Sequence, residues 1–250
     1  MSGHSHYATI KRQKGLRDSL KGQIFSRLAR AIQIAVKAGG GIDPDSNARL
    51  RVAVEAARSS NMPKENIERA ISKGAKEGEN LEEIKYEGFG PGGIAIIVEA
   101  ATDSRNRTGQ EIKNIFERVG GNLAGPGSVS FNFEPKGLLL LEKQENLDSQ
   151  MLSLIDLGVE DIVETEDGLE VYVSPDKLTE TRDSLQNAQF KIMSYELFEK
   201  PKNSQVISDP IAAHKVLNFL DTLENQDDVQ KVYANIDIPQ EILKNLNSIS

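Results

Sequence analysis

The chain contains no cysteine. That excludes disulfides, thiolate catalysis and cysteine-ligated zinc, and it makes a reducing cytoplasm the natural compartment. Histidine is nearly as scarce: His4, His6 and His214 are the full supply, a poor inventory for proton transfer near neutral pH. The many Asp and Glu show no metal-loop spacing. No apolar run approaches the ~18 residues a membrane span needs; Leu138 to Leu141 is strand-sized. The stretch Met1-Ser2-Gly3-His4-Ser5-His6-Tyr7 lacks the apolar core of a signal peptide. The expectation is a cytoplasmic protein (in the mitochondrial matrix, were the source eukaryotic) with no membrane partner, enzymatic activity, cofactor, metal or small-molecule substrate.

What is present is an uneven distribution of charge. The 250 residues, 38% hydrophobic, are enough for two or three small domains. Residues 1–76 hold 15 Lys and Arg against 6 Asp and Glu, whereas residues 77–250 hold 15 against 32. A net of +9 followed by a net of −17 is the pattern of a polyanion-binding module joined to an acidic body. Lys and Arg scattered for solubility would not give opposite signs in the two parts.

The first fifteen residues read as a flexible basic arm carrying Tyr7, Lys11, Arg12 and Lys14, of the kind that orders on a phosphate backbone. Leu16, Leu20, Ile24, Leu28, Ile32 and Ala35 then recur at helical spacing. Arg17, Lys21, Arg27, Arg30 and Lys37 lie largely off that stripe, and Gly39-Gly40-Gly41 ends the helix. Asp43-Pro44 reads as the cap of a second helix, with Leu50, Val54 and Ala57 inward and Arg49, Arg51 and Arg58 outward. By the same logic Asn61-Met62-Pro63 opens a third, with Ile67, Ala70 and Ile71 inward and Gly74 as its stop. Three helices on short loops make a small bundle. The Gly39–Asp45 connection is too long for a helix-turn-helix, so backbone or shape recognition is favoured over base reading.

In the acidic body, Gly90-Pro91-Gly92-Gly93 lies between two extended runs and reads as a turn. It precedes a strand and has no following Lys-Ser/Thr, which argues against a phosphate-cradling loop. Strands are expected at 94–100, 128–133, 137–142, 159–165, 169–173, 191–198 and 229–236. Helices are expected at 107–119, 147–157, 175–188, 210–223 and 239–246. Two β-α-β-β-α-β units can be cut from this order. The fold class is therefore α+β: an N-terminal three-helix bundle plus two ferredoxin-like domains, one inserted in the other. The expected boundaries are 1–76 for arm and bundle, 77–135 plus 204–250 for the discontinuous domain, and 136–203 for the insert.

Several motifs occur together and in order: Met1-Ser2-Gly3-His4-Ser5, Asn47-Ala48-Arg49-Leu50-Arg51, Asn61-Met62-Pro63-Lys64-Glu65-Asn66-Ile67-Glu68-Arg69-Ala70, Tyr86-Glu87-Gly88-Phe89-Gly90-Pro91-Gly92-Gly93, Asp103-Ser104-Arg105-Asn106-Arg107-Thr108 and Gly120-Gly121-Asn122-Leu123. In these the chain resembles the YebC family, whose mitochondrial relatives are called translational activators of cytochrome oxidase subunit one. The resemblance implies a helical bundle with two α/β domains. It also implies either a DNA-binding transcriptional regulator or a ribosome-associated factor that helps translate difficult sequences, notably proline runs. At three positions the chain departs from the family pattern, with Tyr7 where tryptophan is usual, His6 where lysine is usual, and Ile42 before Asp43-Pro44.

The expected nucleic-acid contacts are His4, His6, Tyr7, Lys11, Arg12, Lys14, Arg17, Lys21, Arg49, Arg51, Arg105 and Arg107. The partner expected is ribosomal RNA, with a ribosome behind it, or DNA. A protein-interaction scaffold built on the ferredoxin-like sheets is the third reading. For Arg105 and Arg107, helix capping by Ser104 or Asn106 is the alternative role of the segment, and the two roles are compatible.

Overall fold

The computed structural model describes residues 4–6, 21–39, 41–76, 81–165, 167–239 and 241–243, with the side chains of 4–6, 21 and 39 left aside. Strand β1 (His4–His6) precedes three helices, α1 (Lys21–Gly39), α2 (Ala48–Ser59) and α3 (Lys64–Gly74). Ile32, Val36, Leu50, Val54, Ala57 and Ile67 form the core between them. Helix α1 is central, and all five residues from Ile32 to Val36 are buried. It packs on α2 and α3 on one side and reaches the acidic body on the other.

Both helix starts differ from expectation, the first because a side chain found better partners and the second because the backbone of α2 closes there. The cap of α2 is Asn47, not Asp43. Its Oδ1 accepts from the Leu50 amide at 3.0 Å while Nδ2 donates to the Ala35 and Gly41 carbonyls at 2.9 Å each. Asp43-Pro44 instead makes the preceding turn, whose carbonyl accepts from the Asn47 amide. Asn61 (φ 57°) closes α2 rather than opening α3. The Met62 amide reaches back to the Ala57 carbonyl and the Asn61 amide to that of Arg58, the pairing that terminates helices on a left-handed residue.

The body begins with β2 (Glu82–Phe89), which turns through Pro91–Gly93 into β3 (Ala95–Thr102). Gly92 and Gly93 have φ of 75° and 78°, which glycine adopts at no steric cost. Helix α4 (Arg105–Arg118) and β4 (Asn122–Ala124) follow. The chain then enters β5 (Phe133–Leu141), α5 (Leu147–Asp156), β6 (Asp161–Glu164), β7 (Leu169–Val173), α6 (Leu178–Asn187) and β8 (Ile192–Pro201). It returns through β9 (Gln205–Val206), α7 (Pro210–Glu224), β10 (Val229–Ala234) and β11 (Ile236–Pro239).

The insert's sheet runs β6-β7-β5-β8, wholly antiparallel. That is the order of a ferredoxin-like β-α-β-β-α-β unit. The other four-stranded sheet runs β10-β3-β2-β4. It has the same spatial order, but β2, the strand beside β3, comes first in the chain instead of third. Of the strand expected at 128–133, residues 128–132 are a loop with a single 3-10 turn at Ser130–Asn132, and Phe133 alone is extended, as the first residue of β5. Its apparent alternation fails at Phe131, which is exposed while Val129 and Phe133 are buried. The cause is Glu87, buried on β2, whose carboxylate accepts from the amides of Gly127 (2.8 Å), Val129 (2.7 Å) and Ser130 (2.9 Å). Amides spent on a carboxylate cannot serve a ladder.

The expected strand 229–236 is split at Asn235, whose side-chain oxygen accepts from the Ala95 amide at 2.7 Å. Beyond it β11 joins β1 and β9 in a third, small sheet. Of the helix expected at 239–246, residues 241–243 are helical and 244–246 lie outside the described residues.

Each larger sheet packs helices on one face. Ile94, Ile96, Val98, Ile112, Phe116 and Phe219 fill one core, and Leu139, Leu141, Leu154, Val171 and Leu185 the other. The helix-free faces meet through Ala95, Ile97, Phe133 and Tyr233, with Phe198 packed against them. The Phe198 and Tyr233 rings are 5.4 Å apart, edge to face.

Candidate nucleic-acid interface

The residues expected to touch nucleic acid fall into three structural situations. His4 and His6 lie on β1, whose backbone pairs with β11 at Pro239 and Asp237. Pairing places three residues of the expected flexible arm in a sheet. Tyr7, Lys11, Arg12, Lys14 and Arg17 lie outside the described residues, and Lys21 is the first residue of α1.

Arg49, Arg51 and Arg107 have intramolecular partners. Arg49 is ion-paired with Glu83. Arg51 donates through Nε to the Pro44 carbonyl (3.0 Å) and through Nη2 to the Asp45 carbonyl (2.8 Å), closing the loop between α1 and α2. Arg107 lies between Asp103 at 3.0 Å and Asp228 at 2.9 Å. Those hydrogen bonds, Asp228 foremost, raise the guanidinium pKa above its ordinary value.

Arg105 opens α4 on the surface, and among the described residues its side chain makes no ion pair. The segment's capping role is carried differently from the expectation. Ser104 is the N-cap but its side chain accepts no cap hydrogen bond. The Ser104 amide instead donates to Thr102 Oγ1 at 2.8 Å.

Part of the positive charge of α1 is spent inside the molecule. Arg27 donates to the Glu224 carbonyl and Arg30 to that of Asp227. Arg30 also lies 2.9 Å from the Asp228 carboxylate. Asp228 is buried, and burial alone would push its pKa up; the Thr108 hydroxyl at 2.6 Å and the two arginines outweigh that and hold it below the ordinary value. On the other flank, Glu55 of α2 accepts from Arg182 Nη1 (3.1 Å) and from the Tyr195 hydroxyl. Burial, and then the Glu55 contact, push the Tyr195 phenol up to about 12. The bundle is therefore clamped to both α/β units.

A group absent from the expected set is the edge of α3. Arg69 and Lys73 are exposed at i and i+4 on one side of the helix, and Lys76 is exposed two residues beyond its end. Helical spacing applied to charge rather than to apolar residues would have found them. The opposite edge is occupied by the Lys64–Glu68 pair at 3.6 Å.

The helix-free sheet faces, with which single ferredoxin-like domains often stack bases, are here turned on each other. Lys231 bonds the Leu197 carbonyl at 2.7 Å and Glu196 at 2.8 Å across that junction, and Lys85 meets Glu199 at 2.6 Å. Among the described residues no three His, Cys, Asp or Glu gather to hold a metal ion, and no helix is long and apolar enough to cross a membrane. What the arrangement offers is a set of guanidinium and ammonium groups on bundle and α4, suited to phosphate contact.

Comparison with known proteins places these elements in context. Residues 5–77 match the TACO1/YebC protein N-terminal domain. Residues 81–236 match the TACO1/YebC second and third domain. A probable transcriptional regulatory protein of Dictyoglomus turgidum is 48% identical over 251 residues, covering 99% of this chain and 100% of its own. Another, of Methylacidiphilum infernorum, is 46% identical over 98% of this chain and 99% of its own. A crystal structure of a conserved hypothetical protein from Aquifex aeolicus superposes with a TM-score of 0.86 at 43% identity, covering 94% of this chain and 98% of that one.

Proposed function

The chain belongs to the TACO1/YebC family, and on that premise we propose that it is a nucleic-acid-binding regulator of gene expression that acts on ribosomal RNA. It binds and does not catalyse. The observation that carries this is the charge division, net +9 over residues 1–76 against −17 over the remainder. A polyanion is drawn to the first part and repelled by the second, so the protein has a binding end and an outward end. The basic arm (Tyr7, Lys11, Arg12, Lys14, Arg17) leads the contact, with Lys21, Arg105 and the Arg69-Lys73-Lys76 edge behind it. Arg49, Arg51 and Arg107 support the shape of that surface through the bonds described above. The chain's three units follow the division 1–76, 136–203 and the remainder.

Duplex DNA is the second reading, favoured by the printed name of the relatives, probable transcriptional regulatory proteins. Two measurements separate the readings. The first is cosedimentation with ribosomes; the second is gel shift on duplex DNA at matched salt. The proposal expects cosedimentation that falls steeply with salt, by a log–log slope of about −0.7 to −0.9 per phosphate neutralised, and that is abolished by Lys11→Glu, Arg12→Glu and Lys14→Glu together. Tight duplex binding without ribosome association would establish the second reading. A flat salt response would remove both.

A further inference from the structure

Helix α5 makes sequence choices that its own fold does not use. Leu147, Met151 and Leu154 face the insert's core, and Gln150 is buried with them. On the opposite side Leu152 is 63% exposed and Ile155 59% exposed. A leucine or isoleucine is stabilised by leaving water; these two gain little from it. One of its two acidic residues repeats the pattern, whereas Asp148, in the first turn, suits the positive end of the helix dipole. Asp156 is the last residue of α5, and no basic residue occupies that last turn, so a carboxylate stands at the negative end of the helix dipole, where a cation is preferred. Asn146, not Asp148, caps the helix start, accepting from the Ser149 amide at 3.0 Å.

Asp148, Leu152, Ile155 and Asp156 fall at i, i+4, i+7 and i+8. They therefore share one face of α5, an apolar centre with a carboxylate toward each end. Glu145 adds charge on the loop before α5, and Asp167 on the β6–β7 turn of the same unit. Among the described residues Glu145, Asp148, Asp156 and Asp167 make no ion pair, whereas Glu142, Glu160 and Glu164 of the same unit are each paired with a lysine. The unit as a whole, residues 136–203, has 7 Lys and Arg against 15 Asp and Glu. Its net of −8 equals that of the entire chain.

We propose that this face of α5 is a docking surface for a basic, amphipathic segment of a partner protein. Leu152 and Ile155 receive apolar anchors, and Asp148 and Asp156 receive Lys or Arg on either side of them. Charge complementarity selects this occupant. A phosphate backbone is repelled by the four carboxylates and offers no apolar anchor, and an acidic segment is repelled likewise. The surface lies on a different unit from the cationic bundle, so a nucleic acid on the bundle and a basic protein on α5 can be held together. The proposal does not depend on which nucleic acid the bundle takes.

The test uses the full-length protein and a synthetic 18-residue Leu/Lys peptide with its leucines on one helical face, measured by isothermal titration calorimetry. A scrambled peptide of the same composition and a Leu/Glu analogue serve as controls. Binding should favour the amphipathic basic peptide over the scrambled one by tenfold or more, weaken with salt, and show a negative heat-capacity change. Leu152→Ser with Ile155→Ser should lower that affinity at least tenfold, and so should Asp148→Lys with Asp156→Lys. Both pairs are surface changes, and both variants should retain the parent's Tm within about 2 °C and its affinity for nucleic acid. Equal binding of the scrambled peptide, unchanged affinity in either variant, or no binding at all would overturn the proposal. So would sedimentation showing that the same four substitutions dissolve a self-association of the chain, since the occupant would then be a second copy.

Discussion

Arg30 of the bundle and Asp228 of the acidic body form an ion pair of 2.9 Å in which the carboxylate is buried and the guanidinium half-buried. Its placement gives the charge division an internal consequence: some of the cations that attract a polyanion also attach the bundle to the body. Removing one partner leaves a buried carboxylate short of a donor, although Arg107 and Thr108 still serve it. Arg30→Ala should cost about 1–2 kcal/mol, below the ~3–5 kcal/mol of a fully buried pair because Arg30 is partly solvated. Urea denaturation at neutral pH measures it.

The same carboxylate sets an acid limit. Its folded pKa lies below the ordinary value of 3.8, so its ionised form contributes stability that is fully present above the unfolded pKa. That contribution disappears as pH falls from about 4 through the depressed folded value. Asp228→Asn should therefore be less stable than the parent at neutral pH, and the gap between the two should narrow below about pH 4. A gap that stayed constant across that window would show that Asp228 is not ionised in the folded protein.

Tyr195 sets the corresponding alkaline limit on the other clamp. With its pKa pushed up to about 12, the neutral phenol contributes stability below its unfolded value near 10. That contribution is lost as pH rises from there through the folded value. Tyr195→Phe removes the bond to Glu55 and should flatten the fall in stability across that range, measured as Tm against pH.

Glu87 organises a loop without any regular structure. Glu87→Ala should leave the amides of Gly127, Val129 and Ser130 without their acceptor, at about 2–4 kcal/mol. Those three amides should exchange with deuterium far faster than the β2–β3 amides. Glu87→Gln keeps one acceptor oxygen and should cost less.

Gly74 reverses a usual rule. Glycine to alanine within a helix is ordinarily worth about 1 kcal/mol of added stability. Here an added Cβ would lie 2.8 Å from the Cα and carbonyl oxygen of Gln33 on α1. Backbone cannot yield as a side-chain tip does, so Gly74→Ala should destabilise by about 1–3 kcal/mol and be read as a lowered Tm. Position 74 looked like a helix stop in the sequence; its glycine serves the crossing of two helices.

Arg51 and Arg105 look alike in the sequence, as basic residues in polar surroundings. Arg51→Ala should lower thermal stability, since its donors close the Pro44–Asp45 loop. Arg105→Glu should leave stability within about 0.5 kcal/mol and weaken nucleic-acid binding, read by fluorescence anisotropy at two salt concentrations.

Periodicity by itself was enough to locate the three bundle helices, the helices of both α/β units and the 159–173 hairpin, because each buries one stripe or one face and burial writes its period into the sequence. Charge by itself separated the basic part from the acidic body, because electrostatic sign needs no coordinates. The tertiary structure decided what depends on partners distant in the chain. It made Asn47 the cap of α2 through bonds to Ala35 and Gly41, turned 128–132 from a strand into a loop around Glu87, and set β2, the extended run before Gly90, between β3 and β4. It also sorted the arginines. Arg27 and Arg30 are spent on residues 224–228, Arg51 on its own loop and Arg107 on Asp228, while Arg69, Lys76 and Arg105 face solvent. Local sequence shows a guanidinium's charge, but a carboxylate nearly two hundred residues away determines whether that charge is already matched.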